Sequence, residues 1–104
     1  MVKNKHDSRL DTLILHPSLI GLENIIVAAK EVNLLNSASL VAQPDIIFIN
    51  NKGLVYVVEY KSNNKHKRTA ERQLETAASF IYDAYGRRVK KIYVHGEYEV
   101  QEVG

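Results

Sequence analysis

The apolar positions of this chain follow two kinds of pattern. Leu10, Leu13 and Ile14 fall on one helical face. Ala70, Leu74, Ala77, Ala78, Ile81 and Tyr85 make a longer stripe of the same period. The first pattern predicts a short helix with Ser8 as its N-cap, Asp11 three positions on as in a capping box, and Pro17 as its stop. The second predicts a helix over 68–85 with Gly86 as its C-terminal cap. Between them, residues 45–50 and 54–58 are nearly unbroken β-branched and aromatic runs. They flank Asn51-Lys52-Gly53 and predict a β-hairpin, with Gly53 supplying the positive φ of the turn. Such continuous apolar runs suit strands covered on both faces. Residues 90–95 predict a further strand, and 98–103 an edge strand whose glutamates discourage unwanted pairing.

The hairpin has a calculable register. With a three-residue loop, Asn50 faces Leu54 and Asp45 falls opposite Glu59. Directly opposed residues have Cβ atoms about 4.5–5.5 Å apart, and two carboxylates that close repel unless a cation lies between them. Lys61 alternates back to the face of Glu59. A two-residue loop shifts the register by one and sends the carboxylates to opposite faces. The plain alternative is a surface hairpin with ordinary charges at its open end. The buried character of both strands favours a site instead.

Composition narrows the class. The 104 residues fit one small domain, taken to be residues 1–104, with ordinary hydrophobic (45%) and charged (25%) fractions. There is no cysteine, which excludes disulfides and thiolate metal sites and fits a cytoplasmic, intracellular protein. No run is long enough to span a bilayer, and no signal-peptide pattern is present. The net charge of +2 hides an asymmetry: residues 61–91 carry nine basic and three acidic side chains, hence +6. A basic segment beside an acidic pocket is the charge layout a metal-dependent nuclease needs. His6, His16, His66 and His95 show no ligand spacing, and no Ser-nucleophile motif or phosphate-cradling glycine loop occurs.

Pro44-Asp45 followed by Glu59-Tyr60-Lys61, placed on a hairpin at this separation, resembles the PD-(D/E)XK nuclease superfamily. Gln73-Leu74-Glu75-Thr76-Ala77 resembles the glutamine motif of its RecB-like branch, although the tyrosine that often follows four residues later is Ala77 here. Residues 13–20 look like the lead-in of NucS-type endonuclease domains, and archaeal Holliday junction resolvases are a related comparison. The resemblance covers roughly residues 8–95.

It implies an α/β, restriction-endonuclease-like core of order αβββαβ, with a mixed central sheet flanked by helices. That topology resolves a local ambiguity. Residues 22–35 fit either a helical stripe or a strand by period alone, and the core order requires a strand over about 24–33. The segment 36–39 reads as a loop. The resemblance implies DNA phosphodiester hydrolysis with Mg²⁺ or Mn²⁺ held by Asp45, Glu59 and the backbone carbonyl of Tyr60. Hard carboxylate oxygens suit such ions. Many relatives add an acid from the first helix, for which Asp11 is the best placed and Glu23 the runner-up. Two nearby carboxylates favour the ammonium form of Lys61, which suits stabilising negative charge better than accepting a proton. Gln73 would position water or phosphate. Lys65, Lys67, Arg68 and Arg72 are the expected nucleic-acid contacts. A bare core without a target-reading domain predicts structure-selective cleavage of branched, flapped or junction DNA, in repair or recombination, by a homodimer. No membrane and no organic cofactor are implied. The alternatives are a non-catalytic nucleic-acid-binding module and an assembly subunit of the same fold.

Overall fold

The computed structural model describes residues 4–103. A five-stranded mixed sheet lies between two helices. In chain order the elements are α1 (Lys5–Leu15), β1 (Ile25–Lys30), β2 (Leu34–Asn36), β3 (Ser39–Ala42), β4 (Ile46–Asn50), β5 (Val55–Lys61), α2 (Lys67–Tyr85), β6 (Val89–His95) and β7 (Glu99–Val103). The sheet order is β1-β4-β5-β6-β7, and β2-β3 form a separate two-stranded arm. All neighbours in the main sheet run antiparallel except β5 and β6, which α2 joins as a parallel pair. This is the expected helix–meander–helix–strand core, extended by the β2-β3 arm and by β7.

Alternation sorts the sheet residues onto two faces. Ile46, Phe48, Val58, Tyr60, Ile92 and Val94 bury against Leu10 and Leu13 of α1. Val57 and Tyr93 bury against Ala70, Leu74, Ala77 and Ile81 of α2. The strand runs are continuously apolar because both faces are covered.

The hairpin has the predicted register: Ile46 pairs with Val58 and Ile49 with Val55. The loop is closed by Asn50, whose side-chain Oδ1 accepts from the amides of Lys52 and Leu54, both at 2.9 Å. Gly53 sits at φ 79° and gives its carbonyl to Arg87 at 3.1 Å.

Several expectations require correction. Helix α1 starts one turn earlier than predicted. Its N-cap is Asn4, whose side chain accepts from the Asp7 amide at 2.8 Å. Ser8 is therefore an interior residue, and its carbonyl accepts from the Thr12 hydroxyl. The Ser8–Asp11 capping box does not form, because an earlier asparagine has already satisfied the helix start. Strand β1 is shorter than residues 24–33 and stops at Lys30, where Glu31 takes a positive φ of 53°. The segment 36–39 is not all loop: Asn36 pairs with Ser39 at the tip of the β2-β3 arm. Tyr85 leaves the α2 stripe and is 74% exposed, since the stripe ends at Ile81, one turn before Gly86 closes the helix at φ 67°. A polar chain start such as residues 1–6 commonly frays; here residues 1–3 lie outside the described residues. Lys5 and His6 are helical.

The turn yields a prediction. An alanine at position 53 must adopt the left-handed backbone, and its Cβ would meet Arg87 Nη1 at 3.2 Å. Gly53→Ala should lower stability by about 1–2 kcal/mol. Thermal unfolding followed by circular dichroism should show a melting point several degrees lower, with the native spectrum retained.

Candidate active site

The β4–β5 ladder ends at a proline. Pro44 is buried and has no amide hydrogen to donate, so main-chain pairing cannot continue past Ile46 and Val58. Side chains supply the next rung. The Asp45 amide donates to Glu59 Oε1 at 3.3 Å. The Tyr60 amide donates to Asp45 Oδ2 at 2.8 Å. The Asp45 carbonyl accepts from the Glu31 amide at 2.8 Å, which ties this corner to the end of β1. Asp45 is thus gripped through its amide, its carbonyl and its carboxylate.

The two carboxyl groups meet as the register required. Glu59 is 2% exposed and Asp45 15% exposed at its side chain. Burial is the main force on Glu59, and the neighbouring Asp45 charge and hydrogen bond add to it. Together they push its pKa up to about 9, against a smaller opposing pull from Lys61. Near neutral pH, without a cation, the pair therefore retains a proton.

Other expected residues converge on the same place. In extended backbone the N–H and C=O of one residue leave the strand on the same side. The Tyr60 amide points to Asp45, so the Tyr60 carbonyl faces that side too. The Tyr60 ring is buried in the α1-side core, and its hydroxyl donates to the Gly96 carbonyl at 2.7 Å. Gln73 and Arg72 reach the site from α2, where they line a cavity of about 250 Å³ with Glu59, Gln43 and Pro44. A wider groove of about 480 Å³ lies farther along α2, between Glu75, Tyr82, Asp83 and Arg88. It contains none of the residues expected to carry chemistry, so chemistry rather than size singles out the smaller cavity.

Some expected residues are elsewhere. Asp11 does not join Asp45 and Glu59; its Oδ1 lies 2.6 Å from Lys30 Nζ. Glu23 is exposed in the segment before β1. Among the described residues no group of three or more His, Cys, Asp or Glu side chains is arranged to hold a metal ion. The donor set at the corner is therefore two carboxyls and a main-chain carbonyl, a hard-oxygen set. Mg²⁺ commonly binds through one or two carboxylates while keeping its own waters, and this set fits that habit. Lys65, Arg68 and Arg72 are exposed, and Lys67 lies 4.0 Å from Glu71.

One residue escaped sequence reasoning. His6 Nε2 lies 3.4 Å from Asp45 Oδ1, and its ring sits 5.9 Å from that of Tyr60. A signal existed: His6, Leu10 and Leu13 share one helical face, at i, i+4 and i+7. The misplaced helix start hid it.

No protein-family model and no curated protein matches this sequence. Solved structures do match its fold. A repair endonuclease from Pyrococcus abyssi superposes with a TM-score of 0.69 over 91% of this chain, at 18% identity. The fold is restriction-endonuclease-like, a mixed sheet flanked by helices. EndoMS in complex with double-stranded DNA superposes at 0.61 over 90% of the chain, with 16% identity. EndoMS in its apo form gives 0.59 over 91%, also at 16% identity. The chain spans 39%, 37% and 38% of the lengths of these three structures, so the likeness concerns one nuclease fold within larger proteins.

The carboxyl pair makes stability depend on pH in a calculable direction. The folded-state pKa of Glu59 lies above its unfolded value. Its contribution is therefore fully present below about pH 4.5 and is lost as pH rises towards 9. Glu59→Gln keeps the hydrogen bonds and removes the charge. In metal-free buffer at pH 8 it should melt at least several degrees above the natural chain. The two should converge near pH 4. Calorimetric melting across that range checks both parts.

Proposed function

We propose that this chain is a Mg²⁺- or Mn²⁺-dependent endonuclease that hydrolyses DNA phosphodiester bonds. The observation that carries the reading is the contact between Asp45 and Glu59 at the fork of β4 and β5, in a fold that superposes on a repair endonuclease. Asp45, Glu59 and the Tyr60 carbonyl would hold the cation. A bound divalent ion supplies an activated water and neutralises phosphate charge.

The chain's own residues do the rest. The Tyr60 amide donates to Asp45 Oδ2 and His6 Nε2 lies 3.4 Å from Oδ1, so both oxygens of that carboxylate are positioned by neighbours. Lys61 lies near enough to Glu59 to favour that residue's charged form, and it would stabilise negative charge developing on the phosphate. Gln73, on the wall of the cavity, would position water or a phosphate oxygen. Lys65, Lys67, Arg68 and Arg72 lie along the segment that leads from β5 into α2, where they would follow the backbone of the substrate. The substrate class favoured is branched, flapped or junction DNA, cut by two copies acting together in repair or recombination. The repair endonuclease and the DNA-bound EndoMS among the structural neighbours support DNA as the polymer.

A panel of branched, flapped, mismatched, duplex and single-stranded substrates, incubated with Mg²⁺, tests the reading. The natural chain should cut branched or flapped DNA in preference to plain duplex. Asp45→Asn and Glu59→Gln should each reduce cleavage by on the order of a thousandfold or more while keeping the fold, and Gln73→Ala by roughly tenfold. Equal turnover by the carboxylate variants would contradict the assignment.

A further inference from the structure

His95 is not used in the reading above, yet the sheet places it beside Lys61. The two residues are direct partners in the parallel pairing of β5 and β6. Neighbouring strands lie about 4.8 Å apart, and paired side chains leave on the same face. The preceding pair on that face is Glu59 and Tyr93. The corner therefore continues as a second row at the carboxyl ends of two parallel strands, the edge where open α/β sheets hold their ligands.

The imidazole is fixed in place. It stacks on Tyr93 with ring centroids 5.3 Å apart and planes at 29°. Tyr93 is itself buried, and its hydroxyl donates to Asn64 Oδ1 at 3.0 Å. That bond moors the basic loop between β5 and α2 to the same row. The side chain of His95 is 13% exposed, so its edge still reaches solvent. Glu99, on β7, lies 3.8 Å from Nε2 and is itself mostly exposed, so the contact is loose enough to be exchanged for another anion.

We propose that His95 and Lys61 form a phosphate-binding pair, in which His95 donates to a backbone phosphate next to the one being cut. The inference rests on the nuclease reading for the identity of the substrate, and it adds a contact made by β6. The contact holds substrate and transition state alike. His95 is therefore a binding residue, whose loss raises KM and leaves kcat unchanged.

Two variants separate this role from a structural one. His95→Phe keeps a ring to stack on Tyr93 and removes the N–H donor, whereas His95→Gln keeps a donor and removes the ring. Affinity is read by fluorescence anisotropy with a labelled forked DNA duplex in metal-free buffer, and turnover by cleavage of the same duplex with Mg²⁺. His95→Phe should weaken binding and raise KM roughly tenfold, with kcat within about twofold of the natural chain. His95→Gln should recover much of that loss, although its melting point falls further. Natural affinity in His95→Phe overturns the proposal. So does an affinity loss that follows the melting point through both variants. Cleavage that survives with unchanged KM in His95→Phe rejects the phosphate pair and leaves the nuclease reading intact. Binding that depends on His95 without any Mg²⁺-dependent cutting upholds the pair and rejects the nuclease reading.

Discussion

Two carboxyl groups take the place of a rung in the sheet, and the rest of the molecule is arranged to make that possible. A strand pair normally closes with main-chain hydrogen bonds. Here Pro44 removes the donor that would continue the ladder, and Asp45 and Glu59 bond to backbone amides across the gap. The arrangement brings two acids together in a site from which Glu59 is almost wholly withdrawn from water. Without a cation, burial and the Asp45 charge favour the protonated form of Glu59. The arrangement costs the fold stability at neutral pH, and a divalent cation would relieve it.

Everything near the corner limits its freedom. Glu31 accepts a left-handed backbone to deliver its amide to the Asp45 carbonyl. The Tyr60 ring anchors β5 in the core, and its hydroxyl reaches the turn before β7. Tyr98 in that turn donates to the Arg9 carbonyl and lies under the Arg9 guanidinium, which binds α1 to the far edge of the sheet. Helix α1 thereby presents His6 at Asp45. Rigid support of this kind is what a site needs if it is to hold charges at short range without collapsing or drifting apart.

The meander was legible because its signals were local and agreed with each other. Gly53 and the two apolar runs signalled the hairpin, and of the two loop lengths weighed, the three-residue loop gives the observed register that places Asp45 against Glu59. Gln73, at the edge of the α2 stripe, was legible only through the resemblance to the glutamine motif, since its spacing alone fits a surface glutamine. The helix start was misread because Ser8 and Asn4 are both good caps, and only packing of the first turn chooses between them. That error concealed His6. It also gave Asp11 a capping role, where tertiary structure gives it Lys30 as a partner, a pairing of residues 19 positions apart that no sequence period announces. The β2-β3 arm was hidden for another reason. Its strands are three and four residues long, and their pattern is indistinguishable from a loop.

We propose that the Asp45–Glu59 corner holds a divalent cation. Titration calorimetry of Mn²⁺ into the metal-free chain at pH 8 tests it most directly. The account predicts saturable uptake at the corner that disappears in both Asp45→Asn and Glu59→Gln. No uptake by the natural chain, or equal uptake by all three proteins, would contradict it.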